Sequence, residues 1–377
     1  MNKQVLIVTS HFSPNVGGVE THLDDLVRAL AKRGWEVVVS CYKPLARGVK
    51  VSFIEKKKNL TIYRMPWVGL NIVHLLTPYP PIEFIYLFPG LFLITLYSVI
   101  KYPEIKVLHA QGLVPTVIAL IIARATGRRV VSSTHNLYFF PEKGLYTRFA
   151  RYIFNSVDKV LTLSNASSDE LKRIGVDPNK INDFRYWLDL NLFRPGIKGK
   201  YRDNRFKGNF VVFFVGRLIE TKGIKILLEA AKKLKNEKIV FVFAGLGPLR
   251  TEVEKSTKNG KIVYLGRLEP EGVKKYMNIS DIVCVPSTVD EGYGRVAMEA
   301  IACGTPVVAS DVGGLKEVVN DNVGWTVKPN VVKITKLLKD LSTDSNEVKT
   351  KTKNARKYAL LHFSKKNVEK IIKAYES

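Results

Sequence analysis

The sequence predicts an α/β protein built from two doubly wound, Rossmann-like domains that face a cleft. Three observations carry this reading. Short apolar runs rich in β-branched residues alternate with amphipathic stretches of period 3.6, the signature of parallel strands wrapped by helices. The alternation breaks once, over residues 182–195 (N-D-F-R-Y-W-L-D-L-N-L-F-R-P), and then restarts. The chain has 377 residues, 46% of them hydrophobic, enough for two separate cores.

In the first half, strands are expected at 5–9, 36–40, 61–65, 106–109, 129–134 and 159–163, with helices between most of them. After the first strand comes S-H-F-S-P-N-V-G-G-V-E-T-H, and then Leu23, Leu26, Val27 and Leu30 mark an amphipathic helix by their spacing. Gly17 and Gly18 in this turn let a ligand approach the backbone with no Cβ in the way. The turn carries neither G-x-G-x-x-G nor G-K-S/T, which argues against a dehydrogenase or a P-loop ATPase. His109 and His135 close two strands, and Gln111 follows His109 by two residues; in open α/β sheets, ligand-contacting groups gather at such strand ends.

In the second half, strands are expected at 210–215, 239–244, 262–265, 282–285, 307–309 and 324–327. The first of them ends in G-R-L-I-E-T-K-G, where Arg217 and Lys222 stand at a strand-to-helix turn and two cations can grip one diphosphate. Gly216, Gly245 and Gly266-Arg267 open this and the next turns. The strand at 282–285 stops at Pro286. A polar loop through Glu291, Gly292, Tyr293 and Gly294 then leads into a helix beginning near Arg295 and ending at Gly304. Amides at that helix start have no internal partner and suit a phosphate. Glu291 lies just before the helix and Glu299 a turn inside it, so the two carboxylates flank the phosphate position and can accept hydrogen bonds from hydroxyls. A nucleotide-sugar has phosphates in its middle and hydroxyls at both ends.

At these residues the sequence resembles the retaining glycosyltransferases of family 4, which have the two-domain B-type (GT-B) fold. The family's mark is E-x7-E within P-S-x-x-E-G-F-G, followed by G-x-P-V-V-A. Here the text is P-S-T-V-D-E-G-Y-G, Glu299 and G-T-P-V-V-A, with Tyr293 for Phe and one residue inserted between Ser287 and Glu291. The resemblance implies transfer of a sugar from a nucleoside diphosphate donor to an acceptor hydroxyl with retention of configuration. It implies that Arg217 and Lys222 stabilise the departing diphosphate, Glu291 orients the sugar, Glu299 holds the ribose, and Gly266-Arg267 meets the base through its backbone. G-G-V-E at residues 17–20 matches the family's turn facing the donor diphosphate and sugar. Family members often carry H-x-H where this chain has His109-Ala110-Gln111, and their second histidine sits against the donor sugar; glutamine cannot take up a proton, and His135 is a further candidate for that pocket. G-V-D-x-x-x-F-x-P is matched at Asp189, Phe193 and Pro195, while Trp187 and Leu188 replace Gly-Val. The implied domains are 1–186 on the acceptor side, 187–363 binding the donor, and a last helix over about 364–377 crossing back onto the first domain.

No D-x-D motif occurs, so no metal requirement and no cofactor beyond the donor is expected. Cys41, Cys284 and Cys303 are odd in number and far apart, which supports neither a disulfide framework nor a metal site. The N-terminal apolar run is too short for a signal peptide and reads as the first strand, giving the expectation of a cytoplasmic protein. The net charge of +25 is spread over both halves. The basic run Lys43, Arg47, Lys50, Lys56, Lys57, Lys58 and Arg64 reads first as a solvated hairpin face and next as a contact with an anionic membrane, and the apolar stretch 82–100, interrupted by Glu83, Pro89 and Gly90, as a core or interfacial helix; together with the charge they give a further expectation. The protein is peripheral on an anionic inner membrane face, with a lipid or lipid-linked glycan as acceptor and no nucleic acid partner. Two alternatives stay open: a sugar-nucleotide epimerase on the same fold, and a non-catalytic nucleotide-sugar-binding protein. The sequence leaves the sugar, the base and the oligomeric state unread.

Overall fold

The computed structural model describes residues 3–15, 17–45, 49, 51–67, 72, 76, 79–135, 138–196 and 206–377. Arg47 and Lys50 of the basic run lie outside them. The chain divides into two compact units, Met1–Arg185 with Lys366–Ser377, and Tyr186–Lys365.

The first unit holds an eight-stranded sheet: β1 (Gln4–Val8), β2 (Glu36–Tyr42), β3 (Ile54–Lys57), β4 (Leu60–Met65), β5 (Val107–Gln111), β6 (Arg129–Thr134), β7 (Lys159–Thr162) and β8 (Ile181–Asp183). Their order is β3-β4-β2-β1-β5-β6-β7-β8, parallel throughout except for β3, which pairs antiparallel with β4. β1 and β2 are almost fully buried, as strands covered on both faces must be. The order reverses between β1 and β5, so the Gly17 turn and Gln111 end up at the carboxyl edge of the switch point. On one side of this sheet the helices Pro80–Lys101, Leu113–Thr126 and Leu145–Ser156 share a single core with Leu6, Val8, Leu108 and Val130.

The second unit is an all-parallel six-stranded sheet of β9 (Phe210–Val215), β10 (Ile239–Ala244), β11 (Ile262–Tyr264), β12 (Ile282–Val285), β13 (Val307–Ser310) and β14 (Gly324–Val327), in the order β11-β10-β9-β12-β13-β14. Here the switch lies between β9 and β12. The loops after these two strands are the ones that carry Lys222 and Glu291.

The segment 182–195 holds the division between the units, at Arg185 and Tyr186, and is packed: β8 runs to Asp183, Phe184 is buried in the first unit, and Trp187 and Leu188 are 1% and 0% exposed in the second, with the Leu188 amide donating to the Phe363 carbonyl at 3.1 Å. Large apolar side chains therefore anchor the chain where the family's glycine would leave it free. The apolar stretch forms one helix, Pro80–Lys101, that runs through Pro89 and Gly90. Proline removes a backbone donor, and next to it the Tyr42 hydroxyl enters the ladder, donating to the Leu87 carbonyl at 2.7 Å and accepting from the Leu91 amide at 3.2 Å. A Cβ on Gly90 would collide with that hydroxyl. Lastly, the basic run is partly neutralised. Arg64 is buried, 2.7 Å from Glu55 and bonded to the Ser13 carbonyl, and Lys57 lies 2.6 Å from the same carboxylate.

Candidate active site

The site is built on the β9 and β12 ends of the second unit. After β9 the backbone reaches Gly223 in the left-handed region, φ 72°, where a Cβ would overlap the Pro286 carbonyl oxygen. Only glycine lets the Lys222 turn lie against the start of the β12 loop. The Thr288 amide then donates to the Thr221 carbonyl at 2.9 Å, tying the two loops together. Across this junction Lys222 Nζ lies 2.5 Å from Glu291 Oε1, and the Ser287 hydroxyl donates to the same oxygen. Lys222 and Glu291 are mostly covered, 29% and 15% exposed, which preserves more of the pair's attraction than a surface bridge would.

On its far side the Glu291 loop is pinned by Gly313 and Gly314. The Gly314 amide donates to the Glu291 carbonyl at 2.8 Å, and a Cβ at either glycine would strike the backbone of Glu291 or Gly292. The helix Arg295–Ala302 then starts from Gly294, at φ 72°, with no side chain capping its first amides. Glu299 sits inside that helix, 3.0 Å from Arg295 Nε, both side chains largely covered. The arrangement offers uncapped amides, a held lysine and two carboxylates within one loop-and-helix unit.

Of the other candidates in this unit, Arg217 is exposed at the β9 end, with no ion-pair partner among the described residues. Gly216 and Gly245 stack closely: the Gly216 amide bonds the Ala244 carbonyl at 3.1 Å, and the Gly245 amide bonds the Gly266 carbonyl at 2.8 Å. A Cβ on Gly245 would overlap the Gly216 carbonyl oxygen. Arg267 is exposed and lies 3.5 Å from Glu269. Tyr293 is buried as a whole residue, 3% exposed, and its ring packs 6.0 Å from Tyr186. Ser287, Arg295, Gly313 and Gly314 were missed as contributors, although G-G after β13 is a visible signal of close backbone approach.

In the first unit, Gly17 caps the helix Gly18–Lys32 in extended backbone, with the Glu20 carboxylate folded over it. His109 is buried, 1% exposed. Its Nε2 lies 2.7 Å from Ser133 Oγ and its Nδ1 2.7 Å from the Tyr375 hydroxyl, so both ring nitrogens are engaged inside the unit, where they fasten the last helix, Val368–Glu376. His135 Nε2 lies 2.6 Å from Gln111 Oε1, its ring edge-on to Phe184. Glutamine's carbonyl can only accept, so this nitrogen is the donor. Burial pushes both histidines down to about 3, the neighbouring His135 adding to the effect on His109. Neither is a cation at neutral pH.

Solved structures carry this fold over nearly the whole chain. Sucrose-phosphate synthase from Thermosynechococcus elongatus matches with a TM-score of 0.81 at 19% identity, covering 99% of this chain and 98% of that one. Anabaena HepE, solved in complex with UDP, matches with a TM-score of 0.77 at 20% identity and the same coverage. The architecture is that of the GT-B glycosyltransferases. Within that class the chain belongs to glycosyltransferase family 4: the model described as Glycosyltransferase Family 4 matches residues 16–182, and that of Glycosyl transferases group 1 matches residues 200–358. Among curated relatives, a phosphatidylinositol N-acetylglucosaminyltransferase subunit from Arabidopsis thaliana is 25% identical over 340 residues, 87% of this chain and 71% of the relative. An uncharacterised glycosyltransferase of Methanocaldococcus jannaschii is 35% identical over 182 residues, 46% of this chain and 45% of its own length.

Proposed function

We propose that this glycosyltransferase moves a sugar from a nucleoside diphosphate donor to an acceptor hydroxyl with retention of configuration, and that the acceptor is a lipid or lipid-linked glycan. The observation that carries the donor reading is the Lys222–Glu291 pair at 2.5 Å, set between two tied loops beside an uncapped helix start. An incoming diphosphate competes with Glu291 for the lysine. Lys222 and Arg217 then stabilise the charge that grows on the departing phosphate, and the first-turn amides add fixed partial charge without reorganising. Glu291, held by Ser287, takes a sugar hydroxyl, and Glu299 takes the ribose. The reaction breaks the bond between the anomeric carbon and the phosphate oxygen and forms one to the acceptor oxygen on the same face, the acceptor's proton leaving on the diphosphate.

The bound UDP of the Anabaena fold relative and the phosphatidylinositol in the name of the Arabidopsis relative support the donor and acceptor classes. The test is to incubate the protein with UDP-sugars and detergent-dispersed phosphatidylinositol or polyprenyl phosphate sugars. Nucleoside diphosphate release and the anomeric proton coupling of the product would then be followed. Release with an unchanged anomer is expected. An inverted product removes the retaining mechanism, an epimerised donor without release makes the protein an epimerase, and tight UDP binding without turnover makes it a binding protein.

A further inference from the structure

The first unit exposes an apolar face that its core does not use. The three helices Pro80–Lys101, Leu113–Thr126 and Leu145–Ser156 bury their inner sides in one core on one side of the sheet, so their outer sides form one layer. On the first helix Ile82, Ile85, Leu93 and Ile100 are 52%, 71%, 56% and 71% exposed. Pro89 is exposed between them, so the spacing follows the helical repeat and draws an apolar stripe about 27 Å long at 1.5 Å per residue. Ile121 extends it on the second helix, and Leu145, Phe149 and Tyr152 on the third, with Leu145 83% exposed. Phe149 meets Phe84 edge-on at 6.4 Å, which joins the third helix to the first.

Cations edge this surface. Lys143, Arg148 and Arg151 line a cavity of about 600 Å³ beside Leu145, and none of the three has a carboxylate within ion-pair distance among the described residues. Arg173, also in the lining, is already held by Glu170 at 2.6 Å. Arg124 bonds the Tyr152 hydroxyl at 3.0 Å with its guanidinium over the ring, and Lys101 ends the stripe. The opposing acids are Glu142 in the same lining and half-buried Glu83. Exposed apolar area of this extent marks an interaction surface. Interleaved with aromatics and unpaired cations, it matches the boundary of an anionic bilayer, where apolar groups enter the acyl edge and basic groups meet phosphates. By length and composition the segment Pro81–Lys101 would also cross a membrane, but Leu87, Leu91, Ile94 and Val99 belong to the core, so the inner side of the helix is packed in the unit and only its outer side is open.

We propose that this face docks the first unit on an anionic lipid surface, with the Lys143–Arg148–Arg151 cavity seating lipid phosphates. The inference deepens the lipid-acceptor reading above, and it relocates the attachment from the Lys43–Arg64 run to the helical layer. It is tested by flotation of the full chain with vesicles of phosphatidylcholine with and without phosphatidylglycerol, at low and high salt. Binding is expected only with phosphatidylglycerol and is weakened by salt. Arg148→Ala with Arg151→Ala should lower partitioning about tenfold or more, since each cation near such a surface contributes a factor of about five. Ile85→Ser with Leu145→Ser, both at exposed positions, should lower it by a similar factor. Equal binding to both vesicles, no binding, or variants that bind as well as wild type overturn the proposal. A dimer in sedimentation that Ile85→Ser with Leu145→Ser dissolves, without vesicle binding, gives the face to a second copy instead. If vesicles bind through this face while transfer occurs only to soluble acceptors, the lipid-acceptor reading fails and the docking face stands; transfer to detergent-dispersed phosphatidylinositol without vesicle binding does the reverse.

Discussion

Single residues in this protein divide by what their polar atoms already hold. Lys222 is held by a carboxylate that a diphosphate can displace, so Lys222→Ala should lower kcat by about 10²–10³ by removing one electrostatic donor from the leaving group. Steady-state kinetics check this, and a rise in KM alone would assign the lysine to ground-state binding. His109 and His135 are neutral because burial penalises their charged forms. Their folded values of about 3 lie below the unfolded value of 6.5, so the unfolded chain binds the extra protons. Their contribution to stability is complete above pH 6.5 and falls as the pH drops from there towards 3, by up to about 1.4 kcal/mol per pH unit per histidine. Denaturant midpoints at pH 7 and pH 5 should show this loss, and His109→Gln should flatten the slope whatever it does to stability at pH 7.

At the scale of elements, close approach of backbones decides which loops can meet. Gly223→Ala places a Cβ against Pro286 in a left-handed backbone, so a loss of about 1–3 kcal/mol is expected, read as a lower thermal midpoint together with weaker nucleotide binding. The Pro80–Lys101 helix depends on one hydroxyl for continuity. Tyr42→Phe leaves the Leu87 carbonyl and Leu91 amide without that partner and should cost about 1–3 kcal/mol, measurable by urea unfolding. The edge strand β8 and the packed Trp187-Leu188 segment were illegible because three residues give no period to read. β8 is held by pairing with β7, and the Trp187-Leu188 segment is tied by the Leu188–Phe363 backbone bond, partners that lie outside these segments in sequence.

For the whole molecule, a nucleoside diphosphate that binds only the folded chain should raise its stability by about 2.7 kcal/mol at 100 times its Kd. A thermal-shift series over UDP, GDP and ADP is expected to single out one base. Glu299→Gln should reduce that shift through the lost ribose acceptor, and an unchanged shift would make Glu299 a structural partner of Arg295. In each unit the strand order reverses once, and the loops that carry Gly17, Lys222 and Glu291 lie beside that reversal.

The sequence by itself determined the fold class, the alternation of elements in each half, the loops that carry Lys222 and Glu291 and the helix that carries Glu299, because hydrophobic period and turn chemistry are local properties of the chain. Only the tertiary structure decided that His109 locks the last helix through Tyr375, that the Tyr293 ring belongs to the core, and that Arg64 is spent on Glu55. It also showed that the cations beside the apolar face, Lys143, Arg148 and Arg151, lie on and just before the helix Leu145–Ser156, outside the basic run. These outcomes depend on which partner fills a side chain's last hydrogen-bonding position or covers its apolar surface. Such partners lie up to 266 residues away, as Tyr375 does from His109, at distances no local pattern encodes.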